Sequence, residues 1–181
     1  MPPQPLHIRP AIADDAADIT RLVNTAYRPQ AGEEGWTHES ALIRGARTDP
    51  AAVAALIASS GDHAVLLTGL LDDALVACVR IEADADGAHI GMLAVTPARQ
   101  TGGLGRQMLQ AAEDWARTRF GATVALLTVI GERTELKAFY LRRGYRDCGR
   151  RLPYPADGRS GQPLRGTLDL HLLEKDLAER A

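Results

Sequence analysis

Residues 94–115, AVTPARQTGGLGRQMLQAAEDW, pass from a short apolar run through Gly102, Gly103 and Gly105 into a helical pattern. A strand, a glycine turn and a helix in direct succession allow two readings. The glycines make a turn and nothing more, or they open backbone N–H groups toward a phosphate. Leu104, Met108, Ala112 and Trp115 recur at helical spacing and predict a core-facing helix over 103–119, ended by Gly121.

Two nucleotide patterns fail on this stretch. GLGRQM has Met108 where a dinucleotide fold needs its third glycine, and no acidic residue closes the following strand. A P-loop needs Lys and Ser/Thr after its last glycine, and Arg106 and Gln107 follow Gly105.

Outward from the loop, the segments read as one α/β arrangement. LHIRPAI alternates like a first strand, and DDAADITRLVNTAY places Ile19, Leu22, Val23 and Ala26 on one helical face, with Asp14 as expected N-cap. A polar loop leads to an expected helical region around SALIRGAR and a short helix in DPAAVAALIAS, where Pro50 suits the first turn. HAVLLTGLL, ALVACVRIEA and AHIGMLAVT predict three strands joined by DD and ADADG. TVALLTVI predicts a strand and RTELKAFYLRR a helix closed by Gly144. YRDCGRRL and GTLDLHLLE predict two last strands around the loop PYPADGRSGQPLR. This order suits a mixed sheet better than a fully parallel one.

Composition narrows the class. The chain has 181 residues, 45% hydrophobic, enough for one domain with a sizeable core. With 21 Lys+Arg against 23 Asp+Glu, the formal charge of -2 gives no general field for nucleic acid, so any anion site must be local. Cys78 and Cys148 lie apart from each other and from metal-ligand spacing, and no metal is expected. No run approaches the roughly 18 apolar residues of a membrane span, and MPPQPLHIRP lacks a signal-like apolar segment. A cytoplasmic protein without membrane or nucleic-acid partners is the expectation.

Gln100-Thr101-Gly102-Gly103-Leu104-Gly105 fits Gln-x-x-Gly-x-Gly, following the strand GMLAV and the step TP. In this the chain resembles the GNAT superfamily of N-acetyltransferases. ELKAFYLRRGY resembles the same family's short helix bearing a Tyr, followed by Gly and an aromatic residue. The resemblance implies one GNAT-like domain over residues 1–181, core about 6–177, built on a single mixed, largely antiparallel sheet flanked by helices.

It also implies acetyl-CoA as acyl donor. The pyrophosphate would meet Gln100, Thr101, Gly102, Gly103, Leu104, Gly105 and Arg106 at a helix N-terminus, with Arg99 nearby. The main chain of Leu93, Ala94 and Val95 would pair with the pantetheine arm. Tyr140 matches the Tyr beside the thioester sulfur. Where some relatives carry a basic glutamate, this chain has His89 or Gly91; His89 is the expected base, Glu82 a further candidate, and water-mediated deprotonation stays open. Arg133 stands where many relatives have a cofactor-contacting Asn, and that contact is not carried over.

The implied reaction is acetyl transfer to a primary amine of a small molecule, by direct attack in a ternary complex. A non-catalytic acyl-CoA-binding module and an enzyme for longer acyl-CoAs are the alternatives. In EEGWTHES, Glu33, Glu34 and Trp36, with Glu39, are expected to meet the acceptor. The loop with Arg150, Arg151, Tyr154, Arg159 and Arg165 either folds over the acceptor, where its arginines would meet a carboxylate, or points outward, with a homodimer contact as one role.

Overall fold

The computed structural model describes residues 5–30 and 35–178. In chain order the elements are β1 (His7–Pro10), α1 (Ala16–Tyr27), β2 (Ile43–Arg44), α2 (Pro50–Ala58), β3 (Ala64–Leu71), β4 (Ala74–Ala83) and β5 (Ala88–Val95). They continue with α3 (Leu104–Phe120), β6 (Val124–Ile130), α4 (Thr134–Leu141), β7 (Arg146–Pro153), β8 (Gln162–Pro163) and β9 (Asp169–Asp176). Seven strands form one sheet in the order β1-β3-β4-β5-β6-β9-β7, and β2 and β8 form a separate ribbon. Every neighbouring pair in the large sheet is antiparallel except β5 and β6. This is the mixed, largely antiparallel sheet the element order implies.

Local chemistry explains the connections. Asp72 and Asp73 both take positive φ, 48° and 63°, the conformation a tight two-residue hairpin between β3 and β4 requires. At the next turn Asp84 Oδ1 accepts from the amides of Asp86 and Gly87. Gly87 has φ 143°, and a Cβ there would lie 2.7 Å from the Val124 carbonyl oxygen. Asp49 caps α2 by accepting from the Ala52 amide at 2.9 Å, with Pro50 in the first turn.

Each sheet face buries its own cluster. Leu104, Met108, Leu109 and Ala112 of α3 pack on Val65, Leu67, Val79 and Ile81 on one side. Ile19, Leu22, Val23 and Ala26 of α1 pack with Val53 of α2 against Leu66, Cys78 and Ala94 on the other. These are the apolar stripes that the helical periodicity predicts.

Two local expectations are corrected. SALIRGAR is not helical: Ile43 and Arg44 pair with Pro163 and Gln162, and Gly45 turns at φ 92°. Ile43 packs with Ile130 and Leu168 in a small third cluster, so tertiary contact outweighs the helical pattern. Asp14 is not the cap of α1. It lies inside a 3-10 turn, Ala13–Asp15, and Asp15 closes that turn by accepting from the Ile12 amide at 2.8 Å.

The feature that positions the site is a gap in the sheet. β5 pairs with β6 only at Ala88–Ala125 and His89–Leu126, whereas β6 pairs with β9 along its whole length. At the same place β5 carries an irregularity opposite Cys78–Arg80, with Met92 at φ 48°. An L-residue seldom adopts that conformation without support from its surroundings. Beyond the bulge, one edge of β5 has no strand beside it among the described residues.

Candidate active site

Two cavities, each of about 210 Å³, open on either side of this gap and meet in it. Tyr27, Leu93, Leu136 and Tyr140 line both. A molecule entering from the α3 side and another entering from the β2–β8 side would therefore face one another across Leu93 and Tyr140.

The α3-side cavity is built around the glycine loop. Gly103 takes φ 78° at the start of α3 and its carbonyl accepts from the Arg106 and Gln107 amides, which leaves the amides of Leu104 and Gly105 without a partner in their own helix. Leu93, Val95, Gln100, Thr101, Gly103, Gly105 and Arg106, all expected cofactor contacts, line it. Three others do not. Leu104 is 3% exposed and Ala94 2%, both turned into the core. Gly102 is exposed on the outer side of the turn, as is Arg99.

Several lining residues carry no motif signal. Arg143 of the turn after α4 stacks on Phe139 at 3.5 Å and donates to its carbonyl at 2.7 Å, while its buried Nε has no hydrogen-bond partner among the described residues. Burial, then the nearby charges of Arg142 and Arg106, hold the Arg143 guanidinium below its ordinary pKa. Cations crowded beside free helix amides and an orphaned donor are what a phosphate-bearing group would relieve. The donor set fits the diphosphate end of a coenzyme.

Trp36 is corrected in its side: it lines this cavity, 5.7 Å from Phe139, and does not line the opposite one. The rest of GWTHE is a clamp. Gln100 donates to the Thr37 hydroxyl at 2.8 Å and to the Val95 carbonyl at 3.1 Å. Arg133 donates to the Thr37 carbonyl and to Glu39 Oε1, the latter at 3.0 Å, and Arg28 donates to Glu39 Oε2 at 2.6 Å. Arg133 thus occupies the start of α4 as a structural tie. Glu33 and Glu34 lie outside the described residues.

The β2–β8-side cavity is roofed by the late loop. Tyr154 and Ser160 line it, and the Tyr154 hydroxyl donates to the Ser160 carbonyl at 2.8 Å. The loop therefore covers this cavity, although Arg150, Arg151, Arg159 and Arg165 stay exposed, Arg151 on Asp147 at 2.9 Å. Arg47 does line the cavity, lying 5.6 Å from the centre of the Tyr27 ring.

His89 is corrected as the expected base. It sits on the exposed end of β5, beside Asp84 at 3.0 Å, and lines neither cavity. Alternation along the strand sends it to the same side as Gly91, but beyond the gap. Glu82 is also exposed, 3.6 Å from Arg80. Glu39 is the one carboxylate among the described residues that lines the β2–β8-side cavity, and both its oxygens are taken.

Tyr140 is 8% exposed, edge-on to Phe139 and Tyr145, and its hydroxyl has no hydrogen-bond partner among the described residues. Burial, then the nearness of Tyr27, pushes its phenol well above the ordinary range. Tyr27 is pushed up to about 12 by burial, and donates to the Leu93 carbonyl at 2.9 Å. Both phenols are proton donors at neutral pH.

The sheet opens between parallel neighbours, with a glycine turn and a helix start at one mouth. The family model for Acetyltransferase (GNAT) family matches residues 18–145, and the chain belongs to that family. No curated protein matches it in sequence.

Solved structures share the fold. The chain is 21% identical to yncA of Salmonella typhimurium, assigned as an acetyltransferase and solved with acetyl-CoA, at a TM-score of 0.71 over 98% of this chain and 97% of that one. It is 16% identical to the ribosomal-protein-S18-alanine N-acetyltransferase of Escherichia coli, TM-score 0.68 over 98% and 97%. The paia N-acetyltransferase of Thermoplasma acidophilum, solved with coenzyme A, is 16% identical, TM-score 0.68 over 96% and 99%. Among the described residues no helix is long and apolar enough to cross a membrane.

Proposed function

We propose that the protein is an N-acetyltransferase that uses acetyl-CoA and acetylates a primary amine of a small molecule, by direct attack in a ternary complex. The observation that carries this reading is the meeting of the two cavities at Leu93 and Tyr140. Membership of the acetyltransferase family supports it.

When bound, acetyl-CoA supplies a thioester whose acyl carbon the amine attacks and whose thiolate departs. Toward its phosphates, the first amides of α3 and the guanidinium groups of Arg106 and Arg143 offer charge-assisted bonds. Leu93 and Val95 present the unpaired edge of β5 to its extended arm. The Leu93 carbonyl already accepts from Tyr27, and that of Val95 from Gln100, so the edge is stiffened before anything binds.

Tyr140 is the general-acid candidate. Its phenol stays protonated, faces both cavities and supplies a hydrogen bond or proton where a thiolate would develop. No uncommitted carboxylate or imidazole among the described residues lines the acceptor cavity, which favours water as the carrier of the amine proton over a dedicated base. Attack and C–S cleavage then balance, one proton leaving nitrogen for solvent and one reaching sulfur.

The test is Tyr140→Phe assayed by thiol release and product mass, with acetyl-CoA affinity from calorimetry. The expected result is a kcat lowered by about 100-fold or more, with Kd for acetyl-CoA changed little. Wild-type turnover would remove Tyr140 from the chemistry. Acetyl-CoA binding without acetylated product from a broad amine panel would favour a non-catalytic binding module instead.

A further inference from the structure

The charges around the acceptor cavity do not cancel. Glu39 is compensated twice, by Arg28 at 2.6 Å and Arg133 at 3.0 Å, and its side chain is only 10% exposed. Arg47 is the one guanidinium group among the described residues that lines the cavity, and no carboxylate among them pairs with it. Among the described residues the cavity is lined by one guanidinium group without a carboxylate partner and by one carboxylate already held by two arginines outside it, which repels a polycation and leaves a place for an anion.

Arg47 is also held in position. Its amide donates to Asn24 Oδ1 at 2.8 Å, the Thr48 amide donates to the same oxygen at 3.2 Å, and Asn24 Nδ2 donates to the Thr48 carbonyl at 3.0 Å. One asparagine of α1 thus fixes the backbone beneath Arg47. Above it, Nη1 donates to the Ser160 hydroxyl at 2.9 Å, and the guanidinium lies over the Tyr27 ring. A planar donor fork fixed at both ends is pre-organised for a carboxylate.

From this we infer that the acceptor is a small zwitterion of the amino-acid class, whose carboxylate binds Arg47 while its amine points to the gap at Leu93 and Tyr140. The inference rests on the acetyltransferase reading and adds its substrate class. Glu39 plays no part in drawing in the amine, because its charge is already spent on two arginines. The size of the cavity, about 210 Å³, suits such a molecule.

The test pairs standard amino acids with the amines obtained by removing their carboxylate, and with their aminophosphonate counterparts, each with acetyl-CoA. Expected is acetylated product from at least one amino acid at a kcat/KM about 10- to 100-fold above its decarboxylated partner. Arg47→Gln should erase that ratio, Arg47→Lys should restore part of it, and Arg150→Gln, on the exposed loop, should leave it unchanged. A thermal midpoint for each variant separates lost recognition from lost folding.

Decarboxylated amines acetylated as well as the amino acids would overturn the inference and leave the acetyltransferase reading standing. So would an unchanged ratio in a folded Arg47→Gln protein. Preference for the phosphonate would keep Arg47 as the anion contact and overturn the carboxylate assignment. Failure to bind acetyl-CoA by calorimetry would overturn the acetyltransferase reading itself. Acetyl-CoA binding with no product from any amino acid would overturn the substrate class.

Discussion

Arg133 donates to Glu39 at 3.0 Å across 94 residues of chain, and so joins the start of α4, which carries Tyr140, to the segment GWTHE. Arg28 completes the cluster from the end of α1. All three side chains are at most 10% exposed. Removing the shared carboxylate strands two guanidinium groups in a place poor in water, and breaking a buried ionic cluster in this way costs about 3–5 kcal/mol. Glu39→Ala is therefore expected to lower stability by that amount, measured by urea unfolding. A loss below about 1 kcal/mol would mean that the cluster is solvated in solution.

Gln100 joins the same segment to the glycine loop. A Cβ on Gly35 would collide with the Gln100 amide, whose nitrogen is bonded to Thr37 and Val95. Gly35→Ala displaces the Gln100 amide and strains both bonds. The expected outcome is acetyl-CoA affinity reduced by about 10-fold, read by calorimetry, with the protein still folded. Unchanged affinity would mean that Gln100 does not hold the loop in shape.

Much of the fold was legible because neighbours in sequence wrote it. Ile19, Leu22, Val23 and Ala26 keep helical spacing and do face the sheet, and the Asp72–Asp73 turn does join two strands. Sequence pattern put the glycine loop between a strand and a helix and Tyr140 on a short helix, and both line the α3-side cavity. What failed to show was long-range pairing. Nothing near Glu39 announces that Arg133 will reach it, so a clamp looks like an acidic acceptor site. Trp36 reads as an acceptor wall, yet it packs with Phe139 on the cofactor side. His89 has the right chemistry for a base, but β5 leaves β6 only after it, so it lies past the end of the gap. Arg47 carried no local signal at all, since its role depends on Asn24 below and Ser160 above.

Gly105→Glu separates binding from stability. A Cβ at Gly105 meets only ordinary contacts, Phe139 at 3.7 Å and Val95 at 3.8 Å, so the chain accepts a side chain there. A carboxylate in the first turn of α3 even suits the helix dipole. It also sits among Arg106 and Arg143, where phosphates would go. Affinity for acetyl-CoA should fall by at least about 10-fold while the thermal midpoint stays level or rises. Unchanged affinity would sink the assignment of this loop to the coenzyme.

Alkaline pH should unfold the protein through its buried phenols. Burial raises Tyr27 to about 12, from an ordinary value of 10.0, and raises Tyr140 as well. Below pH 10 folded and unfolded chains bind the same phenol protons, so these groups make stability no function of pH. Above it the unfolded chain releases protons that the folded chain keeps, and stability falls as pH rises toward the folded values. Tyr27→Phe removes one such group and also the bond to the Leu93 carbonyl. That variant should be less stable than wild type at neutral pH by about 1 kcal/mol, and should lose less further stability between pH 10 and 12. Chemical unfolding across that range reads both effects, and parallel curves for the two proteins would show that Tyr27 does not keep its proton in the folded state.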